Sequence, residues 1–343
     1  MYRDRKFHDT QTLPTFNTSL TPNGFIDRVN QLAKDSIPFF FLVDFEKSFP
    51  VVMTLPEISQ SKIQFDIPNQ PGQVAATEKN PQDLSLNIAP VRLRTYSSSF
   101  ERVKKHLLDG DSYLVNLTFP TRLHNNYTLE EIYDHAQAPY KLLYPTKFVT
   151  FSPESFIKIV DDQIFAYPMK GTIDANMPNA EESILNNQKE AWEHNTIVDL
   201  LRNDLSMVAD RVEVTRFRYL DQIRTNNKDL LQVSSEIKGS LPRVWQHRLG
   251  NILWQLLPAG SISGAPKEKT LEIIKCSEIS PRGFYTGVFG FFDGSNLDSA
   301  VNIRFIEEYE DGLRYRSGGG ITASSQLHEE YQEMLDKIYV PTI

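Results

Sequence analysis

Phe148-Val149-Thr150-Phe151-Ser152-Pro153-Glu154-Ser155-Phe156-Ile157-Lys158-Ile159-Val160-Asp161-Asp162-Gln163-Ile164-Phe165-Ala166-Tyr167-Pro168-Met169-Lys170-Gly171-Thr172 packs three short apolar runs between turn residues. Phe148–Phe151, Phe156–Val160 and Ile164–Tyr167 are of strand length and rich in β-branched and aromatic residues, with Asp161-Asp162 as the turn between the last two. Outward from this cluster, Tyr113–Phe119 reads as a strand before it, and Ala180–Met207 as one long, breakable helical stretch after it. Further strands are expected at Phe39–Phe45, Arg211–Tyr219, Tyr285–Phe292, Ser299–Glu307 and Leu313–Ser317, and a closing helix over Gln326–Ile338. Thr128 with Glu131 is a capping box for a helix over Leu129–Ala136. Strands and helices come in clusters instead of alternating, which predicts a layered α+β fold and not a doubly wound parallel sheet. The Pro-, Gln-, Asn- and Asp-rich stretch Asp66–Pro90 reads as a long loop.

The chain has 343 residues, 40% of them hydrophobic, ample for a large core. A net charge of −8 with scattered basic residues argues against nucleic-acid binding. The single cysteine, Cys276, forbids an intramolecular disulfide and fits a reducing cytoplasm. Met1–Lys6 has no apolar core of a signal peptide, and the longest apolar run, Ile37–Val43, suits a buried strand but not a membrane span.

Lys170, at the end of the third run and followed by Gly171, is a nucleophile candidate, with Glu154 as proton donor on an adjacent strand. Glu190 with Glu193, and Glu330 with Glu333, stand three apart on helices, so each pair shares a helix face. Such pairs are ordinarily solvated faces; brought together, four carboxylates would call for a cation, and oxygen-only ligands suit Mg²⁺. Ser317-Gly318-Gly319-Gly320-Ile321, read as a strand end, offers free backbone N–H groups to an anion, and Arg304 a bidentate clamp for a carboxylate. The Cys/His spacings of a zinc site and the glycine motifs of nucleotide binding are not found in the sequence.

In this order Ser152-Pro153-Glu154, Met169-Lys170-Gly171-Thr172, Ile197-Val198-Asp199-Leu200-Leu201-Arg202-Asn203-Asp204, Gly260-Ser261-Ile262-Ser263-Gly264-Ala265-Pro266-Lys267, Ile303-Arg304 and Gly318-Gly319-Gly320-Ile321 resemble the chorismate-utilising enzymes. The resemblance implies one chorismate-utilising domain over residues 1–343, with a shorter, less typical part at 1–95 and the motif-bearing part at 96–340. It implies two large β-sheets packed face to face with helices outside. Lys170 resembles the aminodeoxychorismate synthases, where anthranilate synthases usually carry alanine. By that likeness Lys170 attacks C2 of chorismate, Glu154 protonates the departing 4-hydroxyl, and ammonia adds at C4 to give 4-amino-4-deoxychorismate, on the route to 4-aminobenzoate and folate. The likeness also gives Glu193 and Glu333 to Mg²⁺ with Glu190 and Glu330 in or near its shell. Tyr285, Arg304, Gly318, Gly319, Gly320 and Lys337 match positions around the substrate, and Thr172, Ser261 and Gln232 match positions lining the pocket.

Two residues depart from the family pattern. Leu114 stands where amine-transferring relatives usually have glutamine and water-adding relatives a lysine base, which argues against water addition. Gln232 stands where many relatives have histidine, and cannot shuttle protons near neutral pH. Glutaminase elements, a tryptophan-binding Leu-Leu-Glu-Ser-like element and a fused lyase are missing from the sequence. The resemblance therefore implies a separate glutamine amidotransferase subunit as ammonia donor. Anthranilate synthase component I, another chorismate enzyme, and a non-catalytic chorismate-binding subunit are the alternative readings.

Overall fold

Phe39–Val43, every residue of it buried, lies inside an antiparallel sheet because neither face of such a run can meet water. The computed structural model describes residues 19–68, 84–125, 127–223 and 229–341. Among them are a nine-stranded and an eight-stranded sheet, each built from antiparallel pairs. Phe40, Leu42, Phe289 and Phe291 of the first sheet interdigitate with Phe65, Leu142, Phe148 and Phe305 of the second, so the two sheets pack face to face. Helices cover them: Pro22–Lys34 lies on the first with Leu249–Leu256 packed against it, while Leu93–Leu108 and Lys267–Ser277 lie on the strand Leu114–Leu123 and Leu327–Asp336 on the strand Gly312–Ile321 of the second. This is the expected α+β fold with helices outside.

The strands around Phe39, Phe148, Phe156 and Ile164 and the closing helix form within two residues of their expected bounds, and Thr128/Glu131 makes its capping box. The strands expected at Tyr113–Phe119, Arg211–Tyr219 and Leu313–Ser317 run four residues further, to Leu123, Ile223 and Ile321, and that expected at Tyr285–Phe292 begins at Val288. The Ala180–Met207 stretch breaks at Asn187 into Ala180–Asn186 and Gln188–Ser206, the Asn187 side chain accepting from Glu190 N to start the second helix. Of the expected loop Asp66–Pro90, residues 69–83 lie outside the described residues, and Ile88–Ala89 pairs with Leu123 and Arg122 as a short strand.

Three expectations are corrected. Ser299–Glu307 is not one strand. Leu297–Val301 belongs to the first sheet and Phe305–Tyr309 to the second, and the chain changes sheet at Asn302–Arg304, where Arg304 takes φ +53°. The strand Phe148–Ser152 of the second sheet likewise gives way at Pro153-Glu154 to Ser155–Val160 of the first, so Glu154 does not sit on a strand adjacent to that of Lys170. Finally, Gly318–Gly320 is not a free strand end: the strand runs Gly312–Ile321, with Gly318 opposite Thr118, Gly319 opposite Leu117 and Gly320 opposite Asn116.

Candidate active site

The two sheet-to-sheet crossovers lie side by side. Val301 N donates to Glu154 O at 3.1 Å, and Phe151 N donates to Arg304 O at 3.1 Å, which places the two side chains at one seam. Glu154 accepts a short hydrogen bond from Ser261 Oγ, brought in by the loop that follows helix Leu249–Leu256. Burial pushes the Glu154 carboxyl above the ordinary carboxylate range, against the pull of the Ser261 hydrogen bond and the charges of Lys170, Arg304 and Lys337. A carboxyl so placed is suited to hold a proton and give it up. Arg304 stacks its guanidinium 4.9 Å from the Tyr339 ring centroid and keeps a buried Nε without a hydrogen-bond partner, a donor available to a carboxylate ligand. Tyr285, 4% exposed, packs its ring 5.7 Å from that of Phe305 beside Arg304, and burial lifts its hydroxyl to about 12, so it stays protonated.

Lys170 lies within the strand Met169–Asp174, one residue before a bulge at Gly171, which adopts φ +77°. Lys170 pairs with Val233 and Thr172 with Gln232, adjacent residues on the neighbouring strand. The bulge therefore puts exposed Thr172 on the face of half-buried Gln232, not on that of Lys170. Lys170 Nζ donates to Glu193 Oε2 at 3.4 Å. Glycine is needed at 171, since a side chain there would be strained by the positive φ and would lie 3.1 Å from Glu190 Oε2.

The second carboxylate pair reaches the same place from the opposite side. Helix Leu327–Asp336 holds Glu330 and Glu333 against the glycine strand: a Cβ on Gly319 would lie 3.5 Å from Glu333 Oε1, 3.7 Å from Glu330 Oε2 and 3.7 Å from Lys337 Nζ. A Cβ on the next residue, Gly320, would lie 3.7 Å from Lys170 Nζ. Lys337 Nζ donates to Glu333 Oε1 at 2.8 Å and to Gly318 O at 3.0 Å. Both carboxylates expected to bind metal thus already face a lysine. Among the described residues no three His, Cys, Asp or Glu side chains are grouped closely enough to ligate one ion. Mg²⁺ does not require such a group, because it commonly takes one or two protein carboxylates and completes its shell from water and substrate. Glu193 and Glu330, 8% and 2% exposed, offer oxygen-only carboxylate donors, the ligand type Mg²⁺ takes, so the donor set fits that ion.

The structure thus gathers Glu154, Lys170, Glu193, Ser261, Arg304, Gly319, Gly320, Glu330, Glu333 and Lys337 around one seam; Gly318 contributes its carbonyl to Lys337. Thr172 and Gln232 stand beyond the bulge. A cavity of about 660 Å³ lined by Ala175, Asn179, Glu182, Leu185, Gln222 and Leu231 contains none of the seam residues. Two contributors were not expected from sequence. His194, next to Glu193 and 1% exposed, bonds Ser235 Oγ through Nε2 at 2.7 Å and is lowered to about 4 by burial, so it is neutral. Asp204 pairs with Lys267 behind the Ser261 loop.

Residues 52–342 match the sequence profile of chorismate binding enzymes, and the chain belongs to that family. It is 51% identical, over 93% of its own length and 98% of the relative's, to an uncharacterised PabA-like protein of Pasteurella multocida. It is 31% identical to aminodeoxychorismate synthase component 1 of Escherichia coli and 32% identical to an anthranilate synthase component 1 of Haloarcula marismortui, in each case over 71% of this chain, and 56% and 50% of those proteins. Among solved structures, a 2,3-dihydroxybenzoate-specific isochorismate synthase from Bacillus anthracis shares the fold at TM-score 0.67 and 20% identity, over 91% of this chain and 87% of that one. No helix among the described residues is long and apolar enough to cross a membrane.

Proposed function

We propose that this chain is an aminodeoxychorismate synthase component I, converting chorismate and ammonia to 4-amino-4-deoxychorismate and water. The observation that supports it best is an amine, Lys170, at the seam that also holds Glu154, where a relative forming anthranilate would carry no nucleophile. The neutral amine of Lys170 forms a C–N bond at C2 of chorismate; the ring double bonds shift, and the C4–O bond breaks as Glu154 delivers a proton, so the hydroxyl leaves as water. The adduct nitrogen returns its extra proton to the Glu154 carboxylate. Ammonia then bonds at C4, the double bonds shift back, and the C2–N bond breaks as the departing nitrogen takes that proton, returning Lys170 as the neutral amine; the new ammonium at C4 gives its own extra proton to Glu154, which restores the acid. Arg304, with its buried unpartnered Nε, and Tyr285 beside it orient the enolpyruvyl carboxylate, while Lys337 stands at the other end of the seam. Glu193 and Glu333, with Glu190 and Glu330 behind them, would hold Mg²⁺, whose charge would bind the ring carboxylate.

A partner glutamine amidotransferase is the ammonia source in this reading. Leu114, 3% exposed in an apolar cluster with Ile197 and Leu200, offers no base to activate water and so favours amine over water addition. The test is to incubate purified protein with chorismate, Mg²⁺ and ammonia, then add a lyase that releases 4-aminobenzoate. Formation of 4-aminobenzoate is expected; anthranilate in its place would sink the assignment, and tight chorismate binding without turnover would favour a non-catalytic subunit.

A further inference from the structure

The run Leu200-Leu201-Arg202-Asn203-Asp204 and the lysine that ends Gly264-Ala265-Pro266-Lys267 meet in an ion pair outside the seam. Lys267 Nζ lies 2.8 Å from Asp204 Oδ2, with side chains 18% and 12% exposed. Lys267 also donates to Leu256 O at 3.1 Å, the last residue of the helix that precedes the Ser261 loop. On the other side of this turn Lys47 donates to Trp254 O and Leu257 O, both at 3.3 Å. The loop presses directly on the carboxylate: a Cβ on Gly260 would lie 2.7 Å from Asp204 Oδ2. The next residue, Ser261, donates to Glu154. Glu193 and Asp204 share the helix Gln188–Ser206, and eleven residues are close to three full turns, so both lie on one face about 16 Å apart along the axis. One rigid helix therefore presents a carboxylate to Lys170 at one position and a seat for the acid's loop at another.

We propose that Asp204, through its buried pair with Lys267, is a positioning residue that seats the 257–266 loop so that Ser261 keeps its hydroxyl on Glu154. Asp204 touches none of the reacting groups. Its effect is transmitted at Gly260, whose backbone lies against the carboxylate so closely that a Cβ there would stand 2.7 Å from Asp204 Oδ2. Arg282 Nη1 holds the far side of the loop at Ile262 O, 2.9 Å away, and Ser263 Oγ closes it on Ala259 O at 3.0 Å, so the Asp204 side is where release would let Ser261 move. The charged groups around Glu154 from its other neighbours are Lys170, Arg304 and Lys337, none of which contacts Asp204.

The proposal rests on Glu154 acting as the acid in chorismate turnover, and its experiment separates the two claims. Chorismate consumption, whatever the product, is followed against pH for wild type, Asp204→Asn, Ser261→Ala and the double variant. Removing the serine hydrogen bond takes away a contact that favours the charged carboxyl. Asp204→Asn is therefore expected to move the alkaline limb to higher pH, as Ser261→Ala does, and to lower kcat on the order of 10²-fold with KM little changed. Asp204→Asn/Ser261→Ala should be no slower than Ser261→Ala alone. Amide exchange should quicken in residues 258–264 in Asp204→Asn. Asp204→Asn/Lys267→Met, which leaves neither charge buried alone, guards against misfolding and should show the same limb shift. Multiplying rate losses, or a lower melting temperature with an unmoved limb, would overturn the positioning role. An anthranilate product would remove the assigned reaction and leave this role standing. If no chorismate is consumed, unchanged exchange in the loop overturns it and faster exchange supports it.

Discussion

Lys170 and Glu193 face each other across the gap between a bulged strand and a helix, Nζ 3.4 Å from Oε2, with side chains 26% and 10% exposed. Lys337 and Glu333 repeat the relationship at 2.8 Å on the opposite wall. The pair at Lys170 is only partly shielded, so its worth to stability is small. Its consequence is competition: Glu193 and Glu333, the two carboxylates proposed to hold the cation, each already face a lysine.

Removing either ammonium should therefore tighten cation binding in the absence of substrate. Titration calorimetry with Mg²⁺ is expected to show a lower Kd for Lys170→Met and Lys337→Met than for wild type. Glu193→Gln and Glu333→Gln should weaken binding, and chelation should stop turnover until Mg²⁺ is restored. Weaker binding in both lysine variants would refute the competition.

The covalent role of Lys170 has its own readout. Incubated with chorismate and Mg²⁺ but no ammonia, wild-type protein should gain the mass of chorismate less one water, and Lys170→Ala should gain nothing. Turnover in Lys170→Ala should fall by about 10³-fold or more, as for loss of other activated nucleophiles. Undiminished aminodeoxychorismate formation by that variant would remove the adduct from the mechanism.

Burial lifts the Glu154 carboxyl, so the protonated form persists above the usual carboxylate range. An acid works while protonated, so the alkaline limb of the rate should decline as pH rises through the Glu154 value in the folded protein. Ser261 donates to the charged form more strongly than to the neutral one, which lowers that value. Ser261→Ala should move the declining limb upward, and Glu154→Gln should abolish the limb while lowering kcat by about 10²–10⁴-fold. A pH profile for Glu154→Gln identical in shape to wild type would assign the limb to another group.

Local pattern made most of the fold legible. The capping box at Thr128, the helix around Glu193 and the short strands Phe156–Val160 and Ile164–Tyr167 follow from periodicity and turn chemistry within a few residues. What stayed hidden is where the chain changes sheet. Ser299–Glu307 alternates well enough to read as one strand, and only the tertiary demand that Phe305 and Val301 serve different sheets breaks it at Arg304. The same demand places Glu154 at a crossover, and the two crossovers together make the seam. The glycines differ from expectation for a related reason: Gly318–Gly320 reads as a strand end, yet it lies inside a strand, where the missing side chains at Gly319 let Lys337 and the Glu330/Glu333 helix approach and at Gly320 let Lys170 approach. The Asp204–Lys267 contact joins residues far apart in sequence and carries no local signal.

Gly171 offers a test of how the bulge aims Lys170. Alanine there must adopt φ +77°, at roughly 1–2 kcal/mol, and its Cβ would stand 3.1 Å from Glu190 Oε2. Gly171→Ala should lower the melting temperature modestly and lower kcat more than it raises KM, because relaxing the bulge turns Lys170 toward the face now held by Thr172. Gly110→Ala, also at positive φ but with open space around it, is the control for backbone strain alone. Equal losses of activity in the two variants would mean that the bulge has no part in aiming the amine.

Leu114 closes the wall behind that amine. Its Cδ1 lies 2.9 Å and Lys170 Nζ 3.7 Å from the point a Cβ on Gly320 would occupy, and it packs in a cluster with Ile197 and Leu200 of the Glu193 helix. Leu114→Ala should cost about 2–5 kcal/mol in denaturant unfolding, as for other buried leucines. It should also let water reach the lysine, so chorismate consumption should exceed aminodeoxychorismate formation, with the difference recovered as water-addition product. Gly320→Ala should be tolerated better in the Leu114→Ala background than in wild type, since the atom it meets is then gone. Strict coupling of chorismate loss to aminated product in Leu114→Ala would show that the leucine wall contributes packing but does not exclude water.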